Sequence, residues 1–280
     1  MAIITHKIAW DKCLSHQIWP AIEKGWKDAD HEIHFFWGLA GKNIEEIRKC
    51  EEEGKEWWYV DVGYLTDNIV RYPEPKITAP HNTYFRIVKG AMHTTKFPLV
   101  SPDRLKLIAK KQKAKRNPQT PFTASIEFKG WRSTRGEYVL VCPSSPTVTN
   151  HVNGMTQEEW IDQVSTEIKK HTDLPIKIRN KPRPGNQWWN RHIHDDLNNA
   201  HCLVTNMSLA AIDGILHYTP VFCDKGNVAA SVSSQDFTSI EDPFKPEATT
   251  ITEWLYGLCN NQFNLEEIED GTAYETLRSR

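Results

Sequence analysis

Small polar and charged side chains come directly after several apolar runs that have the length of buried strands. Asp61 follows the run Trp57–Val60, and two serines follow the run that ends at Cys142. Because the carboxyl ends of parallel strands meet at one edge of a sheet, such residues can face a common ligand. Hydroxyl groups and cations suit a phosphate, and a carboxylate can accept the proton of a reacting hydroxyl. The pattern therefore predicts binding or catalytic chemistry at the strand ends.

The segment 200–221 has the clearest order of elements. Its first apolar run predicts a buried strand, Ser208 predicts a helix cap, and helical spacing of apolar residues continues to Leu216. A further apolar run follows, which predicts a βαβ unit. Anions favour helix N-termini, so 205–208 is a candidate anion site with Asp213 deeper in the helix. A βαβ unit of no particular function remains an alternative, because fold does not fix function.

This segment, AHCLVTNMSLAAIDGILHYTPV, resembles the C-terminal nucleotide-sugar-binding domain of GT-B glycosyltransferases. The similarity lies in a strand, Thr-Asn-x-Ser, a helix with an acid before glycine, and then Pro-Val. Within the family it is most similar to the branch of capsule-polysaccharide transferases and phage-encoded glycosyltransferase-like proteins. The resemblance implies that the helix acid binds the donor ribose hydroxyls. That acid is usually Glu in the family and is Asp213 in this chain.

The resemblance also implies that strand ends of the second domain contact the donor diphosphate. Hydroxyls and free N–H groups after the strand at 138–142 suit that role, as do the cations after the strand at 176–178. A basic surface loop is the alternative for 179–183. The predicted donor-binding residues are Ser144, Ser145, Arg179, Lys181, Asn206, Ser208 and Asp213.

The first half of the chain resembles the phage-encoded relatives in a strand, Asp, small residue, Tyr pattern followed by the strand 84–88. The resemblance implies that Asp61 is the base that deprotonates the acceptor, with inversion at the anomeric carbon. Tyr64 and Arg86 are predicted on the acceptor side, where Arg86 would hold Asp61 or a phosphate. A turn-forming Asp61 and a surface-paired Arg86 are the alternatives.

A basic run occupies 104–116 and follows a predicted helix start at Ser101. Together with the phage relatives it predicts contact with DNA phosphates through Lys110, Lys111 and Lys113. The predicted acceptor is then a 5-hydroxymethylpyrimidine in DNA, which an enzyme would have to flip out of a duplex. A solvated helix face is the commoner outcome for a run of charges.

Composition limits the other possibilities. The 280 residues carry a net charge of -2, which excludes a global attraction to nucleic acid. The six cysteines form no CxxC pair, so neither a zinc site nor a disulfide framework is expected. His192, His194 and the acids after them fit a helix start, and we predict no metal. We expect no signal peptide, no membrane span and a cytoplasmic location, in the host if the gene is phage-encoded.

Local signals predict where helices begin. Asn43 is expected to cap a helix over 43–54, Thr156 to open a capping box with Glu159, and Asn264 to cap a later helix. The stretch 131–136 is expected to link an acceptor-side domain, residues 1–133, to a donor-binding domain, residues 134–280. The last helix is expected to cross back to the first domain.

The expected fold is α/β, GT-B, with two Rossmann-like domains facing a cleft. The expected activity is transfer of a sugar from a nucleotide-sugar, a UDP-sugar, to an acceptor hydroxyl, with no separate cofactor. DNA is the predicted partner. The alternatives are a capsule or cell-surface polysaccharide glycosyltransferase and a catalytically inactive GT-B-fold binding protein.

Overall fold

The computed structural model of the chain describes residues 3–6, 14–65, 69–70, 76–77, 82–97, 101–113, 128–189 and 191–278. The chain divides into two compact units: unit 1 comprises Met1–Thr123 and Tyr256–Arg280, and unit 2 comprises Ala124–Leu255. The sequence predicts a second domain over residues 134–280. The structure instead groups Tyr256–Arg280 with unit 1. Each unit combines a sheet with helices, so the chain is mixed α/β.

The strands are β1 (Ile3–His6), β2 (Ile33–Trp37), β3 (Glu56–Val62), β4 (Ile69–Val70), β5 (Lys76–Ile77), β6 (Tyr84–Lys89), β7 (Tyr138–Val141), β8 (Ile176–Ile178), β9 (Ala200–Thr205), β10 (Val221–Cys223) and β11 (Phe263–Asn264). The α-helices are α1 (Ser15–Gly25), α2 (Asn43–Glu52), α3 (Pro102–Lys113), α4 (Pro146–Asn153), α5 (Gln157–Ile168), α6 (Ile193–Leu197), α7 (Ala210–Leu216), α8 (Ala248–Asn260), α9 (Leu265–Glu269) and α10 (Thr272–Arg278). Short 3-10 turns lie at Ala230–Val232 and Phe237–Ser239.

Unit 1 contains a five-stranded mixed sheet in the order β1-β2-β3-β6-β11. The strands β1, β2 and β3 are parallel, and β6 and β11 extend the sheet in antiparallel pairs. Every residue of β2 is buried, as expected for an apolar run covered on both faces. The order of the parallel strands follows the chain, so this sheet has no reversal of strand order among the residues that the structure describes.

Unit 2 contains a four-stranded sheet in the order β10-β9-β7-β8, and all its neighbouring strands are parallel. The first strand in the chain, β7, therefore lies inside the sheet, with β8 on one side and β9 on the other. All six residues of β9 are buried. Val139, Val141, Cys202 and Val204 form the centre of a core against which Trp160 and Val164 of α5 pack. This is the doubly wound order, and it reverses direction between β7 and β9.

Helix starts follow local chemistry where the cap lies beside its partner. The predicted capping box of Thr156 and Glu159 is confirmed at α5, and Asn264 forms a second one with Glu267 at α9. The prediction for Asn43 is wrong. Its buried amide donates instead to the carbonyls of Trp37 and Gly38, at 3.0 and 3.1 Å, and so fastens the turn after β2.

Five cysteines in the described residues are free and buried: Cys50, Cys142, Cys202, Cys223 and Cys259. Burial raises the pKa of each thiol, for Cys142 and Cys223 to about 12. These thiols are core side chains. Among the described residues, each helix is too short or too polar to cross a bilayer.

Candidate functional site

The reversal of strand order in unit 2 brings two loops together. Crossover connections leave β7 and β9 in opposite directions, which opens a crevice at their carboxyl ends. The first loop contains Ser144 and Ser145 before α4, and the second contains Asn206 and Ser208 before α7. Four of the residues predicted from sequence to bind the donor therefore lie on these two loops. We call the pair, residues 142–146 and 205–209, the switch-point loops.

Asn206 fastens the switch-point loops to each other. Its side-chain oxygen accepts the Ser144 N–H at 2.9 Å, and its amide nitrogen donates to Thr149 and Asn153, at 3.2 and 2.9 Å. In return, the Ser144 hydroxyl accepts the Met207 N–H at 3.1 Å. Asn206 is fully buried and Ser144 nearly so. Both side chains are committed to shaping the loops rather than to meeting a ligand directly.

Asn227 reinforces the second loop from β10. Its amide nitrogen donates to the carbonyls of Asn206 and Ser208, at 2.9 and 3.1 Å, and it is fully buried. Asn153, at the end of α4, joins the same network through Asp224 at 3.0 Å. The sequence analysis assigned neither asparagine a role, because partners so far apart in sequence leave no local pattern. The buried amides of Asn206 and Asn227, together with the half-buried amide of Asn153, hold the loops in one arrangement.

Two predicted residues keep polar groups near solvent. Ser145 is half-buried and precedes α4, and its side chain makes no capping hydrogen bond. Because Pro146 opens that helix and lacks an N–H, the next N–H groups of the first turn have no intrahelical partner. The Ser208 hydroxyl accepts the Ala210 N–H at 3.2 Å, as predicted for a cap, although the helix itself begins two residues later.

Asp213 lies in the first turn of α7 and is half-buried. Its carboxyl has no hydrogen-bond or ion-pair partner among the described residues. Burial raises its pKa to about 7, against an opposing effect of the Arg179 charge. Within the described residues, this half-buried carboxyl is an acceptor that no donor meets. Such a group suits a ligand with hydroxyl donors.

Arg179 lies at the end of β8, as predicted, but its charge is already used. Its guanidinium donates to buried Asp196 at 2.5 Å and to the Arg191 carbonyl at 2.6 Å. Asp196 also binds Lys177 and Arg191, at 2.5 and 2.6 Å. Burial opposes the charge of Asp196, but the bonds from Lys177 and Arg179 outweigh it and hold its pKa below the usual range. This cluster fixes the loop after β8. Lys181 is exposed on the same loop.

Asp61 and Arg86 form a pair in unit 1, on neighbouring positions of β3 and β6. Arg86 is buried and donates to the Asp61 carboxylate at 2.8 Å, and the Tyr59 hydroxyl donates to it at 3.0 Å. Of the roles predicted for Arg86, contact with Asp61 is the one that the geometry shows. Burial raises the pKa of the Tyr59 hydroxyl, so that group stays a donor. The Asp61 side chain is 30% exposed and can still be reached from solvent.

Tyr64 is buried, and its hydroxyl accepts the Thr94 N–H at 3.1 Å. Gly63, which lies between Asp61 and Tyr64 in the chain, allows the backbone of β6 to approach closely. A Cβ at this position would lie 2.7 Å from the Tyr84 carbonyl oxygen. The segment after Asp61 is thus packed into unit 1, and Tyr64 is a packing residue in this arrangement.

The basic run is only partly described. Arg104 does not face outward freely: it donates to Glu267 at 2.7 Å and to the Gln262 carbonyl at 2.6 Å, within unit 1. Lys110, Lys111 and Lys113 belong to α3 by backbone, and their side chains lie outside the described residues. In the part of the chain that the structure covers, no group of three or more His, Cys, Asp or Glu side chains could hold a metal ion.

Comparisons with known proteins give limited matches. Neither the protein-family models nor the curated proteins contain a match to this chain. Among solved structures, a "KpsC, beta Kdo 2,4 transferase" of Thermosulfurimonas dismutans is 11% identical, with 85% of each chain covered and a TM-score of 0.49. A "KpsC, beta Kdo 2,7 transferase" of the same organism is 13% identical, with 98% of this chain and 99% of that chain covered and a TM-score of 0.47. At these scores neither likeness establishes a fold or an activity.

Proposed function

We propose that the chain is a glycosyltransferase whose unit 2 binds the nucleotide-sugar donor. The observation that carries this proposal is the unpartnered carboxyl of Asp213 beside the switch-point loops of a doubly wound parallel sheet. This crevice is the position where open α/β sheets bind their ligands. A nucleotide offers what the site lacks, namely hydroxyl donors for a carboxylate and phosphate oxygens for free N–H groups.

Each polar group has a place in this proposal. Asp213 would accept the two ribose hydroxyls, and the first turn of α4 after Ser145 would meet a phosphate. Ser208 and Lys181 would add a hydroxyl and a cation at the rim. Asn206 and Arg179 would act as positioning residues, because their side chains are committed within unit 2. UDP-sugar remains our choice of donor.

The acceptor that we favour is a saccharide hydroxyl rather than DNA. The chain is slightly acidic overall, and Arg104, the first cation of the basic run, is paired with Glu267. A protein that binds the phosphates of a duplex needs several cations on one surface that are not already paired within the protein. This choice corresponds to the capsule or cell-surface alternative from the sequence. Asp61 stays the candidate base, held by Arg86 and Tyr59.

The deciding experiment measures nucleotide binding by calorimetry and thermal stability. Wild type, Asp213→Asn and the control Asp162→Asn, an exposed acid of α5, are titrated with nucleoside mono- and diphosphates and with UDP-sugars. We expect one nucleotide to raise Tm, since a ligand at about a hundred times its Kd adds about 2.7 kcal/mol. Asp213→Asn should weaken that binding about tenfold, the effect of losing a bond to a charged group, and Asp162→Asn should not.

Two results would overturn the proposal. One is that no nucleotide or nucleotide-sugar binds, and the other is that both variants bind as wild type does. Binding without sugar release or transfer to any saccharide would instead favour an inactive binding protein. Transfer to DNA that contains 5-hydroxymethylcytosine, and not to saccharides, would restore the DNA acceptor.

A further inference from the structure

A pocket lies in unit 2, away from the switch-point loops. It encloses about 140 Å³, and its walls include Ala200 and His201, which begin β9, and Pro220, which precedes β10. The pocket is therefore at the amino ends of these parallel strands, whereas the switch-point loops are at the carboxyl ends. The segments 132–135 and 243–245 complete its walls. This pocket cannot be part of the proposed nucleotide site.

The charges around this pocket do not balance. Arg135 is paired with Glu241, which also accepts the Thr172 hydroxyl. Among the described residues, the Arg132 side chain donates to neutral groups only: the carbonyls of Leu197 and Asn198, at 2.8 and 2.5 Å, and of Ala200 at 3.3 Å, and the Thr219 hydroxyl at 3.1 Å.

Lys245 is exposed and has no ion-pair partner in the described residues. Two cations of the lining, Arg132 and Lys245, therefore have no carboxylate partner in the part of the chain that the structure describes. The half-buried Arg132 cannot shed its charge, because a guanidinium stays protonated in proteins. A small anion would supply the missing negative charge.

Tyr218, another residue of the lining, has an unusual backbone conformation. Its φ is +60°, the left-handed region that disfavours residues with a Cβ. The position is the first residue after the cap of α7: the Tyr218 N–H donates to Ile215 and the Thr219 N–H to Gly214, both at 2.9 Å. This is the Schellman ending, where glycine is the usual residue.

Strain at a non-glycine residue is often associated with function. The ring of Tyr218 packs on Phe128 at 5.8 Å, which explains an aromatic side chain there. It does not explain the hydroxyl, which has no hydrogen-bond partner within the described part of the chain. The hydroxyls of Ser133 and Thr134, on exposed residues of the same lining, are likewise without one. Three hydroxyl donors and an unpaired ammonium thus belong to one pocket.

From this combination we infer that the pocket binds a small oxyanion, a phosphate or carboxylate group, through Lys245, Tyr218 and the hydroxyls of Ser133 and Thr134. Arg132 would attract the anion through its positive charge without a direct hydrogen bond, because its guanidinium already donates to backbone carbonyls. The pocket walls include one stretch from the first part of unit 2, 132–135, and one from its last part, 243–245, so an anion would hold these two stretches together. We regard it as an effector site rather than a substrate site.

The test uses the full chain and two probes, inorganic phosphate and malonate, titrated at constant ionic strength with chloride as the reference. Binding is followed by calorimetry for wild type, Lys245→Gln, Tyr218→Phe and the control Lys169→Gln, an exposed lysine after α5. We expect saturable binding of at least one probe. Lys245→Gln should raise its Kd about tenfold and Tyr218→Phe about threefold, with the control unchanged.

The probe that binds identifies the group as phosphate or carboxylate. Absence of saturable binding for both probes would overturn the inference, as would equal weakening by Lys169→Gln. Loss of anion binding in Asp213→Asn would also overturn it, because the anion would then sit at the switch-point loops. Retention of anion binding together with failure of nucleotide binding would leave this pocket established and the proposed function refuted.

Discussion

Asp61, near the end of β3, and Asp213, in the first turn of α7, show how differently the two units use a carboxylate. In unit 1, the Asp61 carboxylate accepts hydrogen bonds from Arg86 and Tyr59, so its negative charge is paired with a cation inside the protein. In unit 2, Asp213 has no such partner among the described residues, because the nearby Arg179 is paired with buried Asp196 instead. A paired acid has its desolvation offset inside the protein, whereas an unpaired buried acid lowers stability unless a ligand meets it. The comparison marks Asp213 as the stronger candidate for ligand binding.

The largest expected effect tests the competition for Arg179. Asp196→Asn leaves the buried Arg179 without its carboxylate, and we expect the free energy of unfolding to fall by about 3–5 kcal/mol. Urea unfolding of this variant beside Asp195→Asn, an exposed neighbour in α6, measures the difference. A loss of less than about 1 kcal/mol would mean that the cluster around Asp196 does not hold the loop after β8.

A smaller effect is expected at Asp61. Asp61→Asn keeps the shape but removes the charge opposite Arg86, and we expect a loss of about 2 kcal/mol because Asp61 is partly exposed. The exposed Asp28→Asn of unit 1 is the control. The same variants distinguish a structural role of Asp61 from a role as the catalytic base. Full stability with abolished transfer would make Asp61 a catalytic base, and lost stability with retained transfer would leave it a scaffold residue.

The smallest effect is the pH dependence due to Asp213, whose folded-state pKa is raised from 3.8 to about 7. Between these values the folded chain holds a proton that the unfolded chain has lost, so wild type loses stability as the pH rises. Asp213→Asn removes this loss. We expect the variant to gain about 1–2 kcal/mol relative to wild type as the pH rises from about 4 to about 7, after discounting for partial exposure. Thermal unfolding across that range, with Asp162→Asn alongside, would contradict this if both variants track wild type.

Much of the fold could be predicted from the sequence, because short apolar runs and adjacent caps are local signals. The buried runs at β3, β7 and β9 and the capping box at Thr156 are where the sequence predicts them. The loops that carry Ser144 and Ser208 could be placed because they follow such runs. Long-range partners could not be placed. Asn206 reaches Ser144 across 62 residues, and no local pattern encodes that bond.

The same reason explains the residues whose roles changed. Arg179 was predicted to face a phosphate because its type and position fit, but it pairs with Asp196 of α6, 17 residues further along the chain. Asn43 looked like a cap because the residues after it are helical, but its amide turns back to the end of β2. Charge and hydrogen-bond pairing across elements decides such cases, and sequence position alone does not.

The buried thiols described for the fold have a practical consequence. With their pKa values raised, they are almost wholly protonated near neutral pH and react slowly with alkylating agents in the folded chain. Cys50 and Cys259 belong to unit 1, and Cys142, Cys202 and Cys223 belong to unit 2. Their alkylation, read peptide by peptide in a mass spectrometer, would therefore time the opening of each unit separately. The native chain carries its own built-in reporters, and a bound nucleotide should delay labelling at Cys142 and Cys223 more than at Cys50.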